Sequence, residues 1–164
     1  MSRLDRGALR RSEVLAASAG ALLLIALFLP WYGLTGEVEA LASRFGVSTS
    51  ANAWRAFGGT DLLLFLAAVA AIGLPLARAA RWPLALRGPA GAPLAAVGAL
   101  ASLLVLARLV DPPAGGLAIK YGAILGLLSA AGILAGGIAL LREEGVGLRE
   151  ALERWRTGPQ GAAG

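Results

Sequence analysis

Four ionisable residues of this 164-residue chain stand where charge meets long apolar runs: Arg55, Asp61, Arg108 and Asp111. A carboxylate beside a guanidinium at such a boundary can clamp two helices, hold a charged solute or lie on an ion path. Asp61 opens the uncharged run 62–77, and Arg108 closes the uncharged run 88–107. If those runs form a helical hairpin, these two ends meet and Asp61 pairs with Arg108 between helices. Two plainer arrangements compete. Asp61 is also placed as the first-turn acid of a helix capped by Thr60, where a negative charge is favourable. Arg108 and Asp111 are three residues apart and can pair along one helix.

As catalysts these residues are weak. General acid–base chemistry needs a second positioned group and a pocket around both. The chain has no cysteine and no histidine, which removes thiol nucleophiles, disulfides and the usual zinc and haem ligands. No acid falls in the middle of an apolar run, where pumps and transporters keep theirs. The expectation is therefore no enzyme, no catalytic residue, no metal and no cofactor.

The elements that would carry these residues are membrane helices. Mean hydropathy is +0.72 and 57% of residues are apolar, more than a soluble domain of this size can cover with polar surface. The apolar residues fall in blocks. A helix needs about 20 residues to cross roughly 30 Å of hydrocarbon, and four blocks qualify, at about 14–32, 57–77, 88–107 and 121–141. The second is short unless 56–60 is drawn in from the preceding loop. The predicted fold is all-α: an integral membrane four-helix bundle spanning 14–141, after an N-terminal arm, 1–13. A long outer loop, 33–56, joins the first two spans. A cytoplasmic amphipathic helix, 142–157, and a disordered tail, 158–164, follow the bundle.

Eleven of the fifteen Lys and Arg residues fall on one side of this arrangement and four on the other. The positive-inside rule then places both termini in the cytoplasm of an inner membrane. The basic residues sit at the ends of apolar blocks instead of forming one patch, so nucleic acid is not the expected partner despite a pI near 11.0. Ala40-Leu41-Ala42 has the small-x-small form of a cleavage site, but Glu37 and Glu39 separate it from the apolar core. The first span is expected to stay. Trp31, Tyr32, Trp54 and Tyr121 are placed at the outer boundary and Trp155 at the inner one, as expected of rings that prefer headgroup depth.

Association of helices in lipid relies on close backbone approach. Small residues recur at four-residue spacing in Gly122-Gly126-Ala130, Gly132-Gly136, Gly91-Ala95-Ala99, Gly98-Ser102 and Ala67-Ala71. They suit packing inside the bundle, contact with a protein partner, or a homo-oligomer. Asp111-Pro112 ends the third span, because a residue before proline leaves the helical region. Pro30 and Pro75 fall in the last turns of their spans. In the outer loop, Val38, Leu41, Ala42 and Phe45 recur at helical spacing and predict a short helix that lies on the membrane or caps the bundle. In the tail, Leu148, Ala151, Leu152 and Trp155 share one face opposite Arg149, Glu150, Glu153 and Arg154, the pattern of an interfacial helix.

Phe28-Leu29-Pro30-Trp31-Tyr32, Ala53-Trp54-Arg55-Ala56-Phe57 with Asp61, and Asp111-Pro112-Pro113 together resemble a group of small four-span membrane proteins, rich in Ala and Arg, of GC-rich bacteria. The resemblance covers roughly residues 10 to 145 and implies topology; no activity comes with it. The bilayer is the expected partner. The expected role is that of a scaffold, accessory subunit or envelope interaction protein. The alternative is a small-molecule binder or transporter using the outer loop and a cleft near Asp61 and Arg108.

Overall fold

The structure is a computed structural model that describes residues 10–56, 59–80, 82, 89–112, 117–147, 149–150 and 153. It is mostly helical, and four helices are long and apolar enough to cross a membrane: α1 (Arg11–Phe28), α4 (Thr60–Ala79), α5 (Gly91–Val110) and α6 (Tyr121–Glu143). Between α1 and α4 lie β1 (Pro30–Gly33), α2 (Gly36–Arg44), β2 (Ser50–Asn52) and α3 (Ala53–Ala56), and β3 (Ala118–Ile119) precedes α6.

The helix limits follow local chemistry. Leu29 precedes Pro30 and is extended, with φ −78° and ψ 159°, so α1 stops at Phe28 and not at Tyr32. Pro30 consequently opens a strand instead of sitting in the last helical turn. The same effect ends α5: Asp111, before Pro112, leaves the helix with ψ 82°. In α4 the expected borrowing from 56–60 reaches the helix only at Thr60. The helix starts at Thr60 and reaches twenty residues by running through Arg78 to Ala79. α6 ends in a Schellman motif. Gly145, with φ +70°, donates to the Arg142 carbonyl and Val146 to that of Leu141. Buried Val146 then packs with Leu141 and Ala95, tying this cap to α5.

Around the bundle, α1 packs on α4 and α6, α6 packs on α5, and α4 meets α5 more thinly. Glycines mark the close contacts. A Cβ on Gly98 would lie 2.3 Å from the Leu134 backbone, and one on Gly137 would lie 2.3 Å from that of Ala95. Gly91 likewise abuts Gly137 and Leu141, Gly132 and Gly136 abut Ala19 and Ala16 of α1, and Gly20 abuts Ala68 and Ala71 of α4. These small-residue faces are thus turned on the chain's own helices, where they allow the backbone proximity that association in lipid requires. Where α4 and α5 diverge, no such glycine intervenes. An apolar cleft of about 260 Å³ opens there, with Ala67, Ala70, Val97 and Ala101 between Leu63, Leu66, Leu100 and Leu104.

The expectation of an all-α chain omits a three-stranded antiparallel sheet in the order β2-β1-β3. Tyr32 pairs with Ala51 on one side and Ile119 on the other, with an irregularity between Pro30 and Tyr32. Bonds beyond the strands, Leu34 N–H to Thr49 and Lys120 N–H to Trp31, prolong both pairings. The sheet closes one end of the bundle with two strands, β1 and β2, from the stretch between α1 and α4. In the C-terminal amphipathic segment, Arg149, Glu150 and Glu153 are exposed and helical. Its apolar face (Leu148, Ala151, Leu152, Trp155), the N-terminal arm as far as residue 9 and the tail 158–164 lie outside the described residues.

Candidate functional site

The sheet end gathers most of the residues singled out from sequence. Asp61 is buried in the first turn of α4, and its Oδ1 accepts the N–H of Gly59 at 2.9 Å. Gly59, not Thr60, is the N-cap residue. The Thr60 hydroxyl instead accepts from Arg108 Nη2 at 2.8 Å, across from α5. Asp61 and Arg108 therefore reach one corner through Thr60. Asp111 is exposed at the end of α5, its N–H bonded to the Ala107 carbonyl. The Arg55 side chain lies outside the described residues.

Trp31 and Tyr32, expected at the membrane boundary, are instead completely buried. β1 turns both into the bundle once proline has ended α1. The Trp31 indole N–H donates to the Ala26 carbonyl at 2.7 Å. Its six-membered ring occupies the space left by Gly126, where a Cβ would lie 2.7 Å away. The Tyr32 phenol donates to the backbone carbonyl of Arg108 at the last turn of α5. Burial holds this phenol above its ordinary pKa of 10.0, with the Arg108 charge acting in the opposite direction. The proton needed for that bond is retained. Trp54 and Tyr121 do face outward, and Trp54 packs between Phe28 and Phe65 at 6.1 and 5.9 Å.

Beside the sheet, Tyr32, Gly33, Leu34, Ser48, Thr49, Ser50, Ala51 and Leu117 line an open recess of about 340 Å³. Hydroxyls and backbone form its polar part.

The opposite end holds a cluster that sequence reasoning missed. Glu13, in the first turn of α1, is buried to 2% exposure. One of its oxygens accepts from Arg78 Nη1 of α4 at 2.6 Å, and the other accepts the Arg10 N–H at 2.9 Å. Arg78 Nη1 also stands 3.8 Å from Glu144, just after α6. Glu144 in turn accepts the N–H groups of Ala90 and Gly91 at 3.2 and 3.1 Å. It thereby supplies the N-terminal cap that α5 lacks from its own side chains. Ser12 donates to Glu143 at 2.9 Å. All four long helices are joined by this network. Its sequence signal was the acids bordering apolar runs, Glu13 before the first and Glu143-Glu144 after the fourth.

Between the two ends, the polar side chains are serines satisfied within their own helices. Ser18, Ser102 and Ser129 donate to the carbonyls of Val14, Gly98 and Leu125. Among the described residues, every buried side-chain nitrogen or oxygen has a hydrogen-bond partner.

No family model, curated protein or solved structure matches the chain.

Proposed function

We propose that the protein is a multi-pass protein of a bacterial inner membrane, with cytoplasmic termini, that acts by interaction as a scaffold, accessory subunit or envelope component. One observation carries this reading. Glu13, Arg78, Glu144, Thr60, Arg108 and Tyr32 each bond to another element of the fold. Side chains that could do chemistry are spent on holding helix ends. The charge asymmetry supports the orientation, with the sheet on the outer face and the Glu13–Arg78–Glu144 cluster on the cytoplasmic one.

A second reading, binding or transport of a small molecule, draws support from the apolar cleft between α4 and α5, beyond whose Leu63 and Leu104 end lie Thr60 and Arg108. Photo-crosslinking from Leu66 and Leu103 in native membranes separates the two. The interaction reading expects a discrete adduct with one protein. Saturable solute flux in proteoliposomes, with no such adduct, would overturn it. Orientation is testable because the chain lacks cysteine. Ser48→Cys should react with a membrane-impermeant maleimide in intact spheroplasts, and Gly147→Cys only after lysis.

A further inference from the structure

The helix α2 presents an apolar row that nothing among the described residues covers. Val38, Leu41, Phe45 and Val47 are 61%, 58%, 76% and 57% exposed, and no residue of α2 is buried. The first three lie at i, i+3 and i+7, one helical face, with Ser43 and Arg44 turned away from it. This row is held in a defined shape. Gly46, with φ +69°, donates to Ser43 and Val47 donates to Ala42, a Schellman cap that places Val47 after Phe45. Capping of the bundle, one of the two roles expected for this helix, would have buried these residues.

We propose that α2 is an interfacial anchor that lies in the outer leaflet, with Val38, Leu41, Phe45 and Val47 at the edge of the hydrocarbon. The inference rests on the membrane reading above. Its tether sets the depth: Glu39 meets Lys120 at 3.7 Å, one residue before α6 begins at Tyr121. Lys120 is the charged residue that immediately precedes the fourth apolar helix. At the same end, exposed Phe28, Trp54 and Tyr121 already present aromatic surface outward, so the α2 row continues a boundary that the long helices define. Glu37 and Glu39 are balanced by Arg44 and by Lys120, which pairs with Glu39, so the row's apolar area and not an excess of basic residues carries the attachment, unlike in the common basic interfacial helix.

Single cysteines at Phe45, Ser43 and Leu103 test this, each carrying a small fluorophore in nanodiscs of zwitterionic lipid. All three positions are exposed, so labelling leaves the core intact. The label at 45 should be quenched several-fold more than that at 43 by a lipid nitroxide near the headgroup, with the order reversed for aqueous iodide. Equal iodide quenching at 43 and 45, or a label at 45 shielded from both quenchers, overturns the anchor. The label at 103, in α5, should be quenched by lipid alone. Iodide quenching there sinks the membrane reading and the anchor with it. If position 103 behaves as expected and 45 does not, only the anchor fails.

Discussion

The two ends of the bundle are closed by different physics. At the sheet end, closure comes from backbone pairing and two buried aromatics whose polar atoms bond to carbonyls of α1 and α5. At the other end, a buried carboxylate, a partly exposed guanidinium and a second carboxylate join the termini of four helices. The first arrangement distributes its stabilisation over area and shape. The second concentrates it in a few bonds, one of which neutralises a charge that would be costly to leave buried alone. A packed end should lose stability according to volume removed, and a charged end according to which partner remains.

Truncation of the largest buried ring should be the most damaging single change. Trp31→Ala empties the site beside Gly126 and should cost about 3–5 kcal/mol in thermal or SDS-induced unfolding. A loss below about 1 kcal/mol would mean that the sheet end does not depend on packing.

At the charged end, Arg78→Leu leaves Glu13 buried without its cation. Arg78 is one-third exposed, so the expected loss, about 2 kcal/mol, lies between those of exposed and buried pairs. Adding Glu13→Gln should restore most of it, because the orphaned charge is gone. Failure of that second change to recover stability would show that Arg78 acts through packing alone.

Glu144→Gln keeps a hydrogen-bond acceptor at the start of α5 but removes the negative charge opposite its dipole. The expected loss is about 0.5–1 kcal/mol, smaller than for Arg78→Leu. A larger one would move the weight of the network from Arg78 to the α5 cap.

Tyr32→Phe should cost about 1 kcal/mol, the net worth of one hydrogen bond. It should also remove a pH dependence. Because folding raises the phenol pKa, its stabilising contribution is complete below about 10 and fades as pH rises above that value. In a Tyr121→Phe background, absorbance should place ionisation of Tyr32 later in the folded protein than in the SDS-unfolded one. Earlier ionisation would contradict its burial. Lys120→Met, which breaks a more exposed pair with Glu39, should change stability by less than about 1 kcal/mol.

Much of the helical frame was legible in the sequence, since uncharged runs and proline report it directly. Asp111-Pro112 ended α5 where the rule says. Leu29-Pro30 obeys the same rule, yet the apolar, aromatic character of Trp31 and Tyr32 argued for a longer helix. Hydropathy cannot distinguish a ring facing lipid from one facing Gly126, because both environments are apolar. The sheet was illegible for a different reason: its strands have four, three and two residues, too few for an alternating pattern. At the sites, a hairpin of these spans predicts that Asp61 pairs with Arg108, and the bond from Arg108 Nη2 goes to the neighbouring Thr60. Their link through Thr60 depends on helix rotation, which composition does not reveal. Glu13 and Glu144 were visible only as run boundaries, since their partners come from opposite parts of the chain.

The order of assembly follows from the central place of α6. Trp31 is synthesised long before Gly126, Glu13 long before Glu144, and β1 before the β3 strand that completes its pairing. The Gly126 seat of Trp31, the Glu144 bonds and the β1–β3 pairing thus wait for the last part of the chain, whereas the Tyr32–Arg108 and Glu13–Arg78 contacts need only the part before it. The early helices form an incomplete bundle until then. A chain stopped before Tyr121 would lack the Gly126 seat for the Trp31 ring and leave its apolar face uncovered, the kind of exposed surface that quality-control proteases and chaperones recognise.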